Sequence, residues 1–219
     1  KVKMIEATMK EKVKEFIVKN FKWIILFICL IGFLAIAENV FNKEIMNGDI
    51  VGYKLISTFL ISDFATPIAK FITNFGDAIF LTVLTIILFI LIKNKKIGVS
   101  IFSNLVIITA LNQLLKNILQ RPRPTEYRII EETGYSFPSG HSMISMAFYG
   151  YIIYLIYKYV KNKYIKWISI VLLSILICSI GISRIYLGVH YTSDVLGGFL
   201  ISVSYLVIYI SAVIKSFVL

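Results

Sequence analysis

The chain has 219 residues, 58% of them hydrophobic, and a formal net charge of +11. Its mean hydropathy of +0.83 lies far from the balance of soluble domains, so the length implies one membrane domain built mostly of spans. The charge alone would suggest nucleic acid, but the lysines gather at the edges of apolar runs, where inner-face membrane flanks place them, and this argues against a nucleic-acid partner.

Residues 1–20 form a basic amphipathic segment. Val2, Ile5, Met9, Val13, Phe16 and Ile17 recur three or four apart opposite the lysines, a pattern that fits a helix on the inner membrane surface or an ordinary solvated helix. Residues 21–219 read as one six-span domain. Residues 23–37 are the first span; the basic front and the Ala35-Ile36-Ala37 tail also resemble a signal peptide, but the later topology works better with an uncleaved span. Residues 38–76 are mixed, carrying Glu38, Glu44, Asp49 and Asp63 with a break at Pro67. Within them, 53–72 predicts one or two short helices lying on the outer surface, the alternative being a plain connecting loop.

The second span covers 78–92 and ends at Lys93, Lys95 and Lys96. The third covers 97–115; its Asn104, Thr109, Asn112 and Gln113 are expected to face the bundle interior. A polar loop over 116–140 leads to the fourth span at 142–157. Lys158, Lys161, Lys163 and Lys166 follow, then the fifth span at 167–181 and the sixth at 195–214. Cys29 and Cys178 lie inside apolar runs and read as small core residues, not a disulfide. The expected fold is all-α: an integral membrane bundle of six transmembrane helices, with short outer-surface helices between the first and second spans.

Lysine placement orients it. The N-terminus, the 93–96 and 158–166 turns and Lys215 share the cytoplasmic side, both termini with them, and Trp23 and Trp167 anchor the same interface. Segments 38–76, 116–140 and 182–194 then lie outside. They hold all four arginines, Arg121, Arg123, Arg128 and Arg184, against the positive-inside bias, so these need another reason to exist.

Three polar clusters supply it. Lys116 closes the third span, and Arg121 and Arg123 each precede a proline, which biases them to extended backbone and lets the loop return Arg123 toward Lys116. An ammonium and a guanidinium on one site suit a phosphate, although such a loop alone more often serves as a lipid-headgroup contact. Pro138-Ser139-Gly140-His141 opens the fourth span, with Ser139 as N-cap and Gly140 leaving the first amides unshielded for an anion. In the third cluster His190 and Asp194 are four apart, sharing a face if helical, so that Asp194 can fix the tautomer of His190 and free its other nitrogen; Arg184 adds a cation.

In order and spacing, Lys116 with Arg123-Pro124, Pro138-Ser139-Gly140-His141, and Ser183-Arg184 with His190 and Asp194 resemble the three-part signature of the type 2 phosphatidic acid phosphatase family. That family shares its active-site pattern with vanadium-dependent haloperoxidases. The resemblance implies that His190 attacks phosphorus to form a phosphohistidine, that Asp194 orients it, and that His141 protonates the leaving oxygen and then activates water. It implies that Lys116, Arg123, Ser139, Gly140 and Arg184 hold the phosphate, that no metal or other cofactor is used, and that vanadate mimics the transition state. The implied partners are the bilayer and a membrane lipid phosphate or diphosphate whose tails enter near the third and fourth spans. Undecaprenyl diphosphate is favoured, with phosphatidylglycerophosphate or phosphatidate as alternatives. A non-enzymatic transport or binding protein would place charges near mid-span, which this chain hardly does, and a haem protein would place histidines deep within facing helices.

Overall fold

The computed structural model describes the backbone of residues 2–44 and 46–217 and the side chains of 18–44 and 46–213. Among these residues the chain is all-helical: α1 (Val2–Phe41), α2 (Asn47–Phe59), α3 (Ala65–Thr73), a single 3-10 turn (Asn74–Gly76), α4 (Ala78–Leu91), α5 (Lys95–Leu119), α6 (Gly140–Tyr159), α7 (Lys163–Tyr186) and α8 (Thr192–Phe217). The basic N-terminal segment and the first span are one continuous 40-residue helix, α1. The apolar stripe read in residues 1–17, and Lys215, lie outside the described side chains.

Val18–Phe41, Lys95–Leu119, Lys163–Tyr186 and Thr192–Val213 are each long and apolar enough to cross a membrane. α4, with 14 residues, is too short alone. It joins α3 and the 3-10 turn in a pair bent by 52°, which makes a fifth such unit. The bend sits where Asp77 caps α4, accepting from the Ile79 amide at 2.7 Å, so the chain restarts a helix there in place of continuing the previous one. Large apolar side chains such as Ile31, Ile79, Ile90 and Leu172 stand exposed around the bundle, which water would not tolerate and lipid would. The protein is a multi-pass membrane protein.

α6 packs against α5, α7 and α8, while α1 packs on α8 and α4 on α5. Nine of the 20 residues of α6 are buried, from Ser142 and Met143 to Tyr151 and Leu155. Its polar character is therefore answered inside the protein: the Tyr151 hydroxyl donates to Ser100 Oγ at 2.8 Å, and Tyr149 to the Phe75 carbonyl at 2.7 Å. Small residues bring the helices close; a Cβ at Gly181 would come within 2.6 Å of the Phe199 ring.

Of the polar residues in the third span, Asn104 and Asn112 face inward as expected. Thr109 and Gln113 do not; they are exposed. The period of 3.6 explains the split, because 104 and 112 share one face of α5 while 109 and 113 share another.

Candidate active site

The C-terminal ends of α5 and α7 meet the N-terminal ends of α6 and α8 at one end of the bundle, and the 120–139 segment and α2 close over them. The Ser139 amide donates to the Asp194 carbonyl at 3.0 Å, joining the second cluster to the third. Lys116 Nζ donates to the Tyr135 carbonyl at 2.6 Å and lies within electrostatic reach of Arg123, Arg184 and Asp194. The structure thus brings all eight sequence-predicted site residues to this end of the bundle.

Local structure explains each position. Gln120 ends α5 in the left-handed conformation, with φ 45°, and turns the chain so that Arg121 and Arg123 fold back inward. Ser139 caps α6, its Oγ accepting from the Ser142 amide at 3.4 Å. Asn112 Nδ2 donates to the Pro138 carbonyl at 3.2 Å and pins the 138–141 segment to α5. Gly188 has φ +71° and lies so close to the Tyr127 carbonyl that a Cβ there would approach it to 2.3 Å. That close approach carries the chain from α7 to His190.

His190 and Asp194 do meet, but not as two residues on one helical face. α8 begins at Thr192, and His190 lies in the turn before it. Asp194 sits in the first turn of α8, and its Oδ2 reaches back to the Tyr191 amide at 2.8 Å, the acidic half of a capping box. The same oxygen meets His190 Nδ1 at 3.3 Å and accepts from Ser136 Oγ. The pairing therefore comes from a helix cap.

The tautomer follows. Arg123 Nη1 lies 3.0 Å from His190 Nε2, and a guanidinium only donates, so Nε2 accepts and the ring proton is on Nδ1, directed at Asp194. The lone pair of Nε2 faces the cationic side of the site. Burial pushes His190 down to about 4, even though Asp194 pulls it upward. Burial, reinforced by Arg184, His190, Lys116 and Arg123, also holds His141 well below the ordinary imidazole value. Both shifts favour the neutral ring at pH 7.

The three buried arginines have different partners. Arg184, 1% exposed, donates to Thr73 Oγ1 at 2.8 Å and pairs with Glu132, while its Nε is buried with no partner. Arg123 is held by the Thr133, Gly134 and Val189 carbonyls at 3.0–3.2 Å; burial lowers its pKa, and the Arg184 charge lowers it further. Arg121 joins Asp49 at 2.7 Å to Asp194 at 2.6 Å and stacks 4.1 Å over the Tyr191 ring. Burial would lower the Arg121 pKa, but Asp194 and Asp49 outweigh it and raise it. Asp49 also accepts from the amide and hydroxyl of Ser193 at 2.8 and 2.9 Å, so α2 caps α8 from outside.

Sequence reasoning gave no role to Asp49, Arg121, Glu132 or Ser136. Arg121 carried a signal, as an outer arginine beside a proline; the other three read as ordinary polar residues of connecting segments. A cavity of about 740 Å³ reaches His190 between α2 and residues 124–127, with the stacked rings of Tyr53 and Tyr127 in its wall. It is not lined by the third and fourth spans, where tail entry was expected. Among the described residues, no group of three or more His, Cys, Asp or Glu side chains is arranged to hold a metal ion.

The chain is similar to several known proteins. The chain is 40% identical over 90 residues to phosphatidylglycerophosphatase B of Bacillus subtilis (strain 168), a match spanning 41% of this chain and 44% of that relative. It is 27% identical over 195 residues to undecaprenyl-diphosphatase of Sulfolobus acidocaldarius, covering 84% of this chain and 86% of the other. The fold is similar to the crystal structure of the first transmembrane PAP2 type phosphatidylglycerolphosphate phosphatase from Bacillus subtilis, with a TM-score of 0.74 and 26% identity over 87% of this chain and 96% of that one. The model of the PAP2 superfamily matches residues 96–217, which include all three polar clusters, and the chain belongs to that superfamily.

Proposed function

We propose that the protein is an integral membrane lipid phosphatase that removes the terminal phosphate of a lipid phosphate or diphosphate through a phosphohistidine on His190. The observation that carries this reading is the neutral His190 ring, with its proton directed at Asp194 and its Nε2 lone pair facing Arg123. That is an imidazole prepared as a nucleophile beside an anion site.

Nε2 attacks phosphorus while the bond to the leaving oxygen breaks, and His141 gives that oxygen its proton. His141 is held neutral by burial and, after that, by the surrounding cations; arrival of a phosphate dianion offsets the cations and lets it take up the proton it donates. In the second half His141 accepts a proton from water, the resulting hydroxide attacks phosphorus, and the P–N electron pair returns to Nε2. Lys116, Arg123, Arg184 and the Gly140 amide hold the phosphoryl oxygens, where charge stabilisation supplies the largest share of the rate; the Ser139 amide, expected from the sequence to join them, is taken by the Asp194 carbonyl, and Ser139 serves as the cap of α6. Arg123 must turn from Nε2 to the phosphate for the attack to proceed. No step requires a metal.

In this reading six helices span the bilayer. The bent α3–α4 pair is one span, and α6 is another whose polarity is tolerated because α5, α7 and α8 shield it from lipid. Lysine-rich turns between α4 and α5 and between α6 and α7 lie at the end away from the site. The positive-inside bias then puts the site on the extracytoplasmic face and both termini in the cytoplasm. α2, with exposed Phe59, and the turn after it, with exposed Phe64, lie in the outer interface.

Undecaprenyl diphosphate is the favoured substrate, supported by the relative that matches over most of both chains. Phosphatidylglycerophosphate is the second reading, supported by the 40% identical segment and by the similar crystal structure. Phosphate release from a panel of purified lipid phosphates and diphosphates tests both. Fastest release from undecaprenyl diphosphate is expected, faster release from phosphatidylglycerophosphate would reverse the order, and no release from any would end the phosphatase reading.

A further inference from the structure

The Glu132 carboxylate lies where this mechanism needs a phosphate. It is hydrogen-bonded to Arg184 Nη2 through Oε1, and its Oε2 stands 3.8 Å from Arg123 Nη2. Asp49 and Asp194 are both committed to Arg121. Among the described residues Glu132 is therefore the one carboxylate paired with the two other buried arginines. The same segment secures Arg123 through the Thr133 and Gly134 carbonyls. Glu132 keeps 28% of its side chain exposed, so it has a way out to solvent that Arg184 and Arg123, at 1% and 5%, lack.

We infer that Glu132 is a specificity-determining residue: a resident anion that fills the seat on Arg123 and Arg184 and yields it to a terminal phosphate but not to a phosphodiester. The inference rests on the phosphatase reading of this site. Charge and donor count decide the competition. A terminal phosphate carries about −1.5 to −2 charge at neutral pH and three acceptor oxygens. It can engage both guanidiniums, the unpartnered Arg184 Nε and Lys116 together, which one carboxylate does not. A phosphodiester headgroup carries a single charge, as Glu132 does, and gains little by displacing it. In a bilayer where diesters far outnumber the substrate, such a filter keeps the site from being occupied by bulk lipid. After turnover the returning carboxylate competes with inorganic phosphate and speeds its release.

The test compares the wild type with Glu132→Gln and Glu132→Ala, measuring inhibition of lipid phosphate hydrolysis by orthovanadate, by inorganic phosphate and by short-chain phosphatidylglycerol as the diester. Removing a charged competitor should tighten orthovanadate and phosphate by about tenfold, and the diester by a larger factor. If Glu132 only props the arginines in place, its loss will loosen all three; that result, or unchanged constants, overturns the inference. Should a variant lose turnover, the thermal shift produced by orthovanadate gives the same comparison without catalysis. A wild type that neither hydrolyses lipid phosphates nor binds orthovanadate overturns the phosphatase reading, and this inference with it. An active wild type with unchanged variants overturns the inference alone.

Discussion

At the end of the bundle that holds Arg121, Arg123 and Arg184, the cations are buried and tied by two or more bonds each to carboxylates, hydroxyls, carbonyls or His190. At the other end Lys93, Lys95, Lys96, Lys161 and Lys163 are exposed. There Lys95 caps α4 through the Phe89 carbonyl at 2.9 Å, and Lys166 stands 5.3 Å over the Tyr157 ring. The two ends use different cations for a physical reason. A guanidinium is a rigid fork of donors, loses less hydration when buried and stays charged there, whereas an ammonium is strongly hydrated and suits a flexible contact at a wet interface. In the proposed reading one end positions an anion and the other serves topology.

The largest effect expected from breaking this contrast is at His190. His190→Ala should lower phosphate release by at least about a thousandfold while leaving the protein folded, because the nucleophile is lost and its neighbours are not. Next comes Arg121→Ala, which strands Asp49 and Asp194 as unpaired buried carboxylates. A loss of about 3–5 kcal/mol is expected from breaking a buried ion network on one side, seen as a large fall in the thermal unfolding midpoint in detergent. Asp49→Asn should cost less, because Arg121 keeps Asp194. It should lower kcat without raising KM, since the residue acts on His190 through Arg121 and Asp194 and does not hold the substrate.

pH sharpens the contrast on the stability side. The folded protein lowers the His190 pKa from 6.5 to about 4, so the unfolded chain binds a proton that the folded one refuses between those values. Stability from this group is complete above about pH 6.5 and is lost as pH falls through that window. A pH series of unfolding midpoints should show the loss, and His190→Asn should lessen it, leaving the part that His141 contributes in the same window. The smallest effects belong to the lysine end: Lys93→Gln and Lys161→Gln should change turnover by less than about twofold, as exposed charges distant from the site do.

Much of the site was legible because its residues interrupt apolar runs: Lys116, His141, Arg184 and His190 are out of place in a membrane span unless they do something. What stayed hidden are the partners. Asp49 lies 72 residues from Arg121, and Ser136 lies 58 from Asp194; only packing brings them together. Glu132 reads as a solvated loop carboxylate until its contact with Arg184 is seen. The helical pairing inferred for His190 and Asp194 reached the right contact by the wrong geometry, because spacing alone does not distinguish two residues on a helix from a residue held by a helix cap. The polar α6 illustrates the same limit for the fold, since the partners that answer its tyrosines, Ser100 and the Phe75 carbonyl, are set by packing and not by composition.

The central claim is that His190 Nε2 becomes covalently phosphorylated. Rapid alkaline quench of the enzyme mixed with a lipid phosphate, followed by mass spectrometry, should find an acid-labile, base-stable phosphoryl group on the peptide containing His190 and none in His190→Ala. Turnover by the wild type with no such adduct at any quench time, or an adduct that persists in His190→Ala, would contradict the account.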